Sequence, residues 1–135
     1  MKFNREQTDG IYLIQRSESG RIGVLSPRQD DPRDEDRLVW FERSFIITPE
    51  RLIPAWAPRD IQGLDQDALQ PLYKMALEVV LIGTGNRMAL PGPMQLQALV
   101  DLGIGYELMD SAAACRTYNI LAGEGRGVAA AIMLG

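Results

Sequence analysis

Two short stretches bring together groups that could do chemistry. The first is "SAAACRTYN", residues 111–119, which holds the only cysteine of the chain, Cys115, beside Arg116. A guanidinium next to a thiol in the first turns of a helix lowers the thiol pKa and favours a thiolate nucleophile. The second is "LIGTGNR", residues 81–87, where Gly83, Thr84 and Gly85 follow an apolar run and Arg87 adds a positive charge. Glycines at the end of a buried strand let a ligand approach backbone N–H groups closely. Asp110 stands just before the cysteine segment, so both stretches are expected at strand ends, where α/β sheets collect ligands. The combined candidate pocket is Gly83, Thr84, Gly85, Arg87, Asp110, Cys115, Arg116 and Asn119, and its expected ligand is a small anion, since a helix N-terminus offers free N–H groups.

The rest of the composition removes most catalytic uses of these groups. The chain has no histidine. Cys-His and Ser-His-Asp catalysis and histidine metal ligation are therefore excluded within one chain. A single cysteine also excludes a thiolate zinc site. Cys115 then reads as a small apolar residue rather than a nucleophile, and Asp110 as a helix cap. The glycine loop departs from phosphate motifs. A dinucleotide fingerprint needs glycine where Met88 stands, and no lysine followed by serine or threonine marks a P-loop. Its glycines read as a sharp turn at a strand end. No catalytic residue, metal or cofactor is assigned.

The elements that must position these residues fall into two textures. Residues 1–67 carry 10 basic and 13 acidic side chains, and residues 68–135 carry 4 and 5. The charged first half reads as antiparallel strands. "GIYLIQR" and "GRIGVLS" are joined by a glycine turn, and "RLVWFERSFIIT" is one longer strand. The acidic stretch at 30–37 reads as a solvated loop. "PERLIPAWAPRD", with three prolines, is an extended connection.

The second half alternates. "LDQDALQPLYKM" is a short helix and "LEVVLIG" a strand buried on both faces. "PMQLQALVDLG" is a helix with Leu96, Leu99 and Val100 on one face. "IGYELMD" is a strand, "SAAACRTYNILAGEG" a helix and "GVAAAIML" the last strand. The expected fold is α/β, a single domain over 1–135: a mixed, mainly parallel central sheet flanked by helices, with an N-terminal antiparallel layer. In the cysteine helix, a wheel at 100° per residue puts Ala113, Thr117, Ile120 and Leu121 on the core face and Cys115 and Asn119 nearly opposite. Arg116, in a charge-poor half, is expected to pair with Asp110, Glu107 or a ligand. Met88, Leu90 and Met94, on a loop stiffened by Pro91 and Pro93, suit a protein partner if exposed, while core filling is the expected role of any one of them.

A net charge of −4 without a basic cluster speaks against nucleic-acid binding. The opening "MKFNREQTDG" is too polar for a signal peptide, and no apolar run approaches the roughly 20 residues that span a bilayer. A cytoplasmic bacterial protein without membrane insertion is expected.

"VVLIGTG", the proline-rich loop and helix after it, and "GIGYELMDSAAACRTYNILAGEGRGVAAAIM" resemble a widespread domain family of unknown function. That family includes the mitochondrial respiratory complex I assembly factor three and an adipogenesis-associated relative. The resemblance runs through "FIITPERLIPAW" and covers about residues 38–135. It implies a three-layer fold around a mixed five-stranded sheet, no established enzymatic activity, and a role in building membrane complexes through protein contacts. The expected function is a non-catalytic binding or assembly module. The alternative is a small-molecule or anion-binding protein, or an enzyme, using the Gly83–Arg87 loop and the Asp110–Arg116 helix start.

Overall fold

The computed structural model describes residues 10–27 and 37–134. Strand β1 (Leu13–Glu18) and strand β2 (Arg21–Leu25) form a hairpin. Gly20 closes its turn at φ +82, a backbone shape that glycine adopts without a Cβ penalty. Strand β3 (Leu38–Phe41) pairs antiparallel with β2 and completes a three-stranded sheet. The acidic stretch at 30–37 lies outside the described residues except for Arg37.

"RLVWFERSFIIT" is not one strand. It breaks at Glu42–Ser44, and strand β4 (Phe45–Ile47) joins a different sheet. Phe41 and Phe45 stack across the break with ring centroids 4.9 Å apart. Such a corner lets one chain serve two layers without exposing either core. β4 pairs antiparallel with strand β5 (Leu52–Ile53), which gives the proline-rich connection a short edge strand.

Helix α1 (Gln66–Tyr73) is capped by Asp65, whose carboxylate accepts from Ala68 N at 2.8 Å. Strand β6 (Val79–Gly83), helix α2 (Gln97–Asp101), strand β7 (Gly105–Met109), helix α3 (Ser111–Gly123) and strand β8 (Val128–Ile132) follow. The central sheet runs β5-β4-β8-β6-β7. β6 is parallel to both neighbours, while β4 is antiparallel to β8. The fold is thus the expected mixed α/β sheet. α2 is shorter than its sequence suggests, and Val100 is 55% exposed while Leu96 and Leu99 are buried. α2 presents only a narrow stripe to the sheet.

Three layers result. On one face of the central sheet, α1, α2 and the Trp56–Leu64 segment pack on Ile46, Val80, Ile82, Ala129 and Ala131. On the other face, α3 packs on Phe45, Leu81, Ala130 and Ile132, and the N-terminal sheet adds Ile14, Ile22 and Val24 to the same core.

The α3 wheel must be corrected. Its buried residues are Ser111, Ala114, Cys115, Tyr118, Ala122 and Gly123, and Ile120 is 49% exposed. The helix is gripped from two sides, by the central sheet and by β1. That widens its buried arc and moves it to the side of Cys115 and Asn119. Small residues let the helix approach the sheet closely: a Cβ on Gly83 would stand 2.9 Å from Ser111 Cα and 3.2 Å from Ala114 Cβ.

Candidate functional site

The carboxyl ends of β6, β7 and β8 meet at one junction, and Ser111 ties them together. Its hydroxyl donates to Met133 O at 2.9 Å and accepts from Gly85 N at 2.9 Å. Its own amide donates to Gly85 O at 2.8 Å. Thr84 secures the other side. Its amide donates to Met109 O at 2.9 Å, and its hydroxyl donates to Arg87 O at 2.6 Å and accepts from Ala89 N at 2.9 Å. Gly85 supplies the turn at φ +102. Asp110 caps α3 by accepting from Ala113 N at 2.8 Å.

Above this junction lies a cleft of about 550 Å³. It is lined by Thr84, Gly85 and Asp110 from the sheet ends, by the tip of the β1–β2 hairpin, and by Glu42 and the Arg59–Asp60 pair. The candidate pocket is brought together only in part. Gly83 lies under the α3 start, and Arg87, Cys115, Arg116 and Asn119 are not among the lining residues. Sequence reasoning missed the hairpin tip, Glu42 and Arg59. Their only signal was membership of the connections flanking the two sheets, since no motif marks them.

The remaining candidates serve the α3–β1 contact or face solvent. Asn119 Nδ2 donates to Ile14 O at 2.6 Å, and its Oδ1 accepts from Ile14 N at 2.9 Å. Tyr118 OH donates to Tyr12 O at 2.7 Å. Cys115 is 2% exposed, and burial pushes its thiol up to about 12, outweighing the opposing pull of Arg116. A thiol so held is neutral and shielded, which is unsuited to nucleophilic chemistry. Arg116 is exposed and forms no ion pair among the described residues, so the expected pairing with Asp110 or Glu107 is absent there.

A second surface lies on the loop after β6. Met88, Leu90 and Met94 are 54%, 73% and 63% exposed. The loop is nonetheless pinned. Gln95 Nε2 donates to both Ile61 O and Leu64 O at 2.7 Å, and its Oε1 accepts from Gly92 N. Together with the Thr84 hydroxyl, Gln95 fixes the loop at both ends and holds these side chains out to solvent. No group of three or more metal-ligating side chains occurs among the described residues. No helix there is long and apolar enough to cross a membrane.

Known proteins resemble this chain in sequence and in fold. The chain is 40% identical to the rat protein named NADH dehydrogenase [ubiquinone] 1 alpha subcomplex assembly factor 3, covering 96% of this chain and 84% of the relative. It is 30% identical to the mouse protein of the same name, over 65% of this chain, and spans about half the length of that relative, 48%. A crystal structure of a Bordetella parapertussis protein superposes with a TM-score of 0.77 at 32% identity, covering 93% of this chain and 98% of the other. Residues 34–133 match a family described as "Protein of unknown function (DUF498/DUF598)". With most of its length inside that match, the chain belongs to the DUF498/DUF598 family.

Proposed function

We propose that this chain is a non-catalytic module that assists assembly of a membrane-associated complex by docking a protein partner on the 88–94 loop. The observation that carries this reading is the exposure of Met88, Leu90 and Met94 on a loop that Thr84 and Gln95 hold fixed. Flexible, polarizable methionines beside an exposed leucine suit a protein surface that repacks on contact. A fixed loop also lowers the ordering cost of binding. The relatives named as assembly factors support the role. In this reading the chain is a cytoplasmic bacterial protein, does not insert into the membrane and does not bind nucleic acid.

The test is co-purification with NADH dehydrogenase subunits from a bacterium expressing the tagged chain. Wild type is expected to retain a subunit, and a Leu90→Asp, Met94→Glu double variant to lose it while keeping the wild-type circular dichroism spectrum. Equal retention by both chains overturns the reading.

A second reading rests on the 550 Å³ cleft, which would take a small polar ligand. Its rim carries the carboxylates of Glu42, Asp60 and Asp110 against the guanidinium of Arg59, while Glu18 at the hairpin tip is paired with Arg16 and Arg21. That balance favours a neutral or cationic ligand over the anion that a helix start alone suggests. Amide shifts at Gly85 and Ser111 on titration with methylammonium, but not with inorganic phosphate, support it; no shift with either removes it.

A further inference from the structure

β7 is an edge of the central sheet, and among the described residues no strand lies beyond it. The phase of its ladder follows from one hydrogen bond. Thr84 N–H donates to Met109 O, and Gly83 is the register partner of Met109. In a parallel ladder, alternate residues turn both backbone groups to the same neighbour. Gly105, Glu107 and Met109 therefore turn theirs to β6. Tyr106 and Leu108 turn their N–H and C=O groups outward, as Ile104 does its C=O.

This edge is lightly defended, its one charged side chain being the exposed Glu107. It carries no proline, lysine or bulge, all common guards of exposed edges. Apolar side chains flank it: Tyr106 is 37% exposed, Val100 in the last turn of α2 is 55% exposed, and Leu102 at the end of that helix is 53% exposed. Ile104 and Leu108 lie on the same sheet face as Tyr106, packed at the margin of the α1–α2 core.

We infer that two copies of this chain pair antiparallel through β7 about a two-fold axis at Tyr106. Only registers that set outward-facing residues opposite one another form hydrogen bonds. With the axis at Tyr106, the two Tyr106 residues exchange N–H and C=O, and Leu108 N–H meets the partner copy's Ile104 O. Each Glu107 then faces a Gly105. Moving the axis one residue to Glu107 keeps hydrogen-bonding partners but sets two carboxylates directly opposite, which is destabilising. The favoured register also stacks Ile104, Tyr106 and Leu108 of both copies into one apolar ladder and covers the Val100–Leu102 rim. The two central sheets become continuous.

The test is sedimentation velocity of the full chain over a concentration series, combined with amide hydrogen exchange. Wild type is expected to pass from the one-chain to the two-chain mass, with Tyr106 and Leu108 amides gaining protection in step. Tyr106→Pro removes an N–H that β6 does not use, so the monomer should keep its circular dichroism spectrum while self-association weakens about tenfold or more. Tyr106→Lys, which sets like charges at the axis, serves if the proline variant unfolds. A one-chain mass up to about 1 mM, or a two-chain mass that survives both substitutions, overturns the inference.

Discussion

Asn119 and Ile14 exchange two hydrogen bonds in the manner of neighbouring strands: the amide nitrogen reaches Ile14 O at 2.6 Å, and the amide oxygen receives Ile14 N at 2.9 Å. A side chain on a helix thereby completes the edge of β1. The β1 register shifts between Ile14 and Arg16, immediately beyond this contact. The amide is suited to the task because one planar group both donates and accepts.

Asn119→Ala should leave both backbone groups of Ile14 without this partner and destabilise the fold by about 1–3 kcal/mol. Asn119→Asp should cost a similar amount, since a carboxylate keeps the acceptor but repels Ile14 O. Urea unfolding with an unchanged m-value would show the loss, and faster exchange of the Ile14 amide would locate it.

Gly83→Ala and Gly85→Ala should fail for different reasons. At Gly83 the new methyl meets Ser111 Cα at 2.9 Å, and overpacking of this kind costs about 1–3 kcal/mol. At Gly85 nothing lies within 4 Å, but φ is +102, so the penalty is backbone strain of about 1 kcal/mol. Thermal unfolding compares the two. Only Gly83→Ala should also perturb amide shifts at the start of α3.

Cys115 should resist thiol reagents in the native protein and react only as the fold opens. Its buried thiol sits at about 12 against an ordinary 9.0. The stability tied to the neutral thiol is intact below 9.0 and declines as pH rises from there towards about 12, by at most about 1.4 kcal/mol per pH unit. Cys115→Ala should lose less stability than wild type between pH 9 and 11 in urea titrations. Native labelling at neutral pH, at the rate of a free thiol, would contradict the burial.

Glu78 should add an acid-side dependence. Its carboxylate accepts from Gly127 N at 2.7 Å and from Arg126 Nε at 3.2 Å, joining the starts of β6 and β8. The Gly127 hydrogen bond, more than Arg126, holds its pKa below the ordinary 4.5. The contribution is present above 4.5 and lost as pH falls through the lowered value. Glu78→Gln should flatten the stability profile on the acid side of 4.5 and lower it evenly at higher pH, leaving its slope above pH 9 unchanged.

The sheet was legible wherever the pattern was local. "VVLIG" and "GVAAAIML" are apolar without interruption because strands or helices cover β6 and β8 on every side. The helix start at Asp110 was legible from its cap. What a single stretch cannot carry is the identity of its neighbours. Ile120 outweighs Ala114 on any hydrophobicity scale, yet α3 buries the alanine because close approach to Gly83 requires a small side chain there. Asn119, a pocket candidate by sequence, instead bonds Ile14, 105 positions earlier. The break in "RLVWFERSFIIT" was hidden for the same reason: both halves are strands, and only pairing separates them. The cleft was half legible, through Thr84, Gly85 and Asp110. Its other wall comes from connections whose residues carry no motif.

β8 lies between β4 and β6, fully buried, although it follows both of them in the chain. Until it is made, the antiparallel and parallel halves of the central sheet have no common strand. A ribosome must therefore release nearly the entire described chain before the two halves can close on one another. Through that interval the flanks of β4 and β6 stay unpaired, each able to capture a foreign strand. The order of synthesis thus places the greatest exposure of this protein to misassociation before folding is complete, at the centre of the finished sheet.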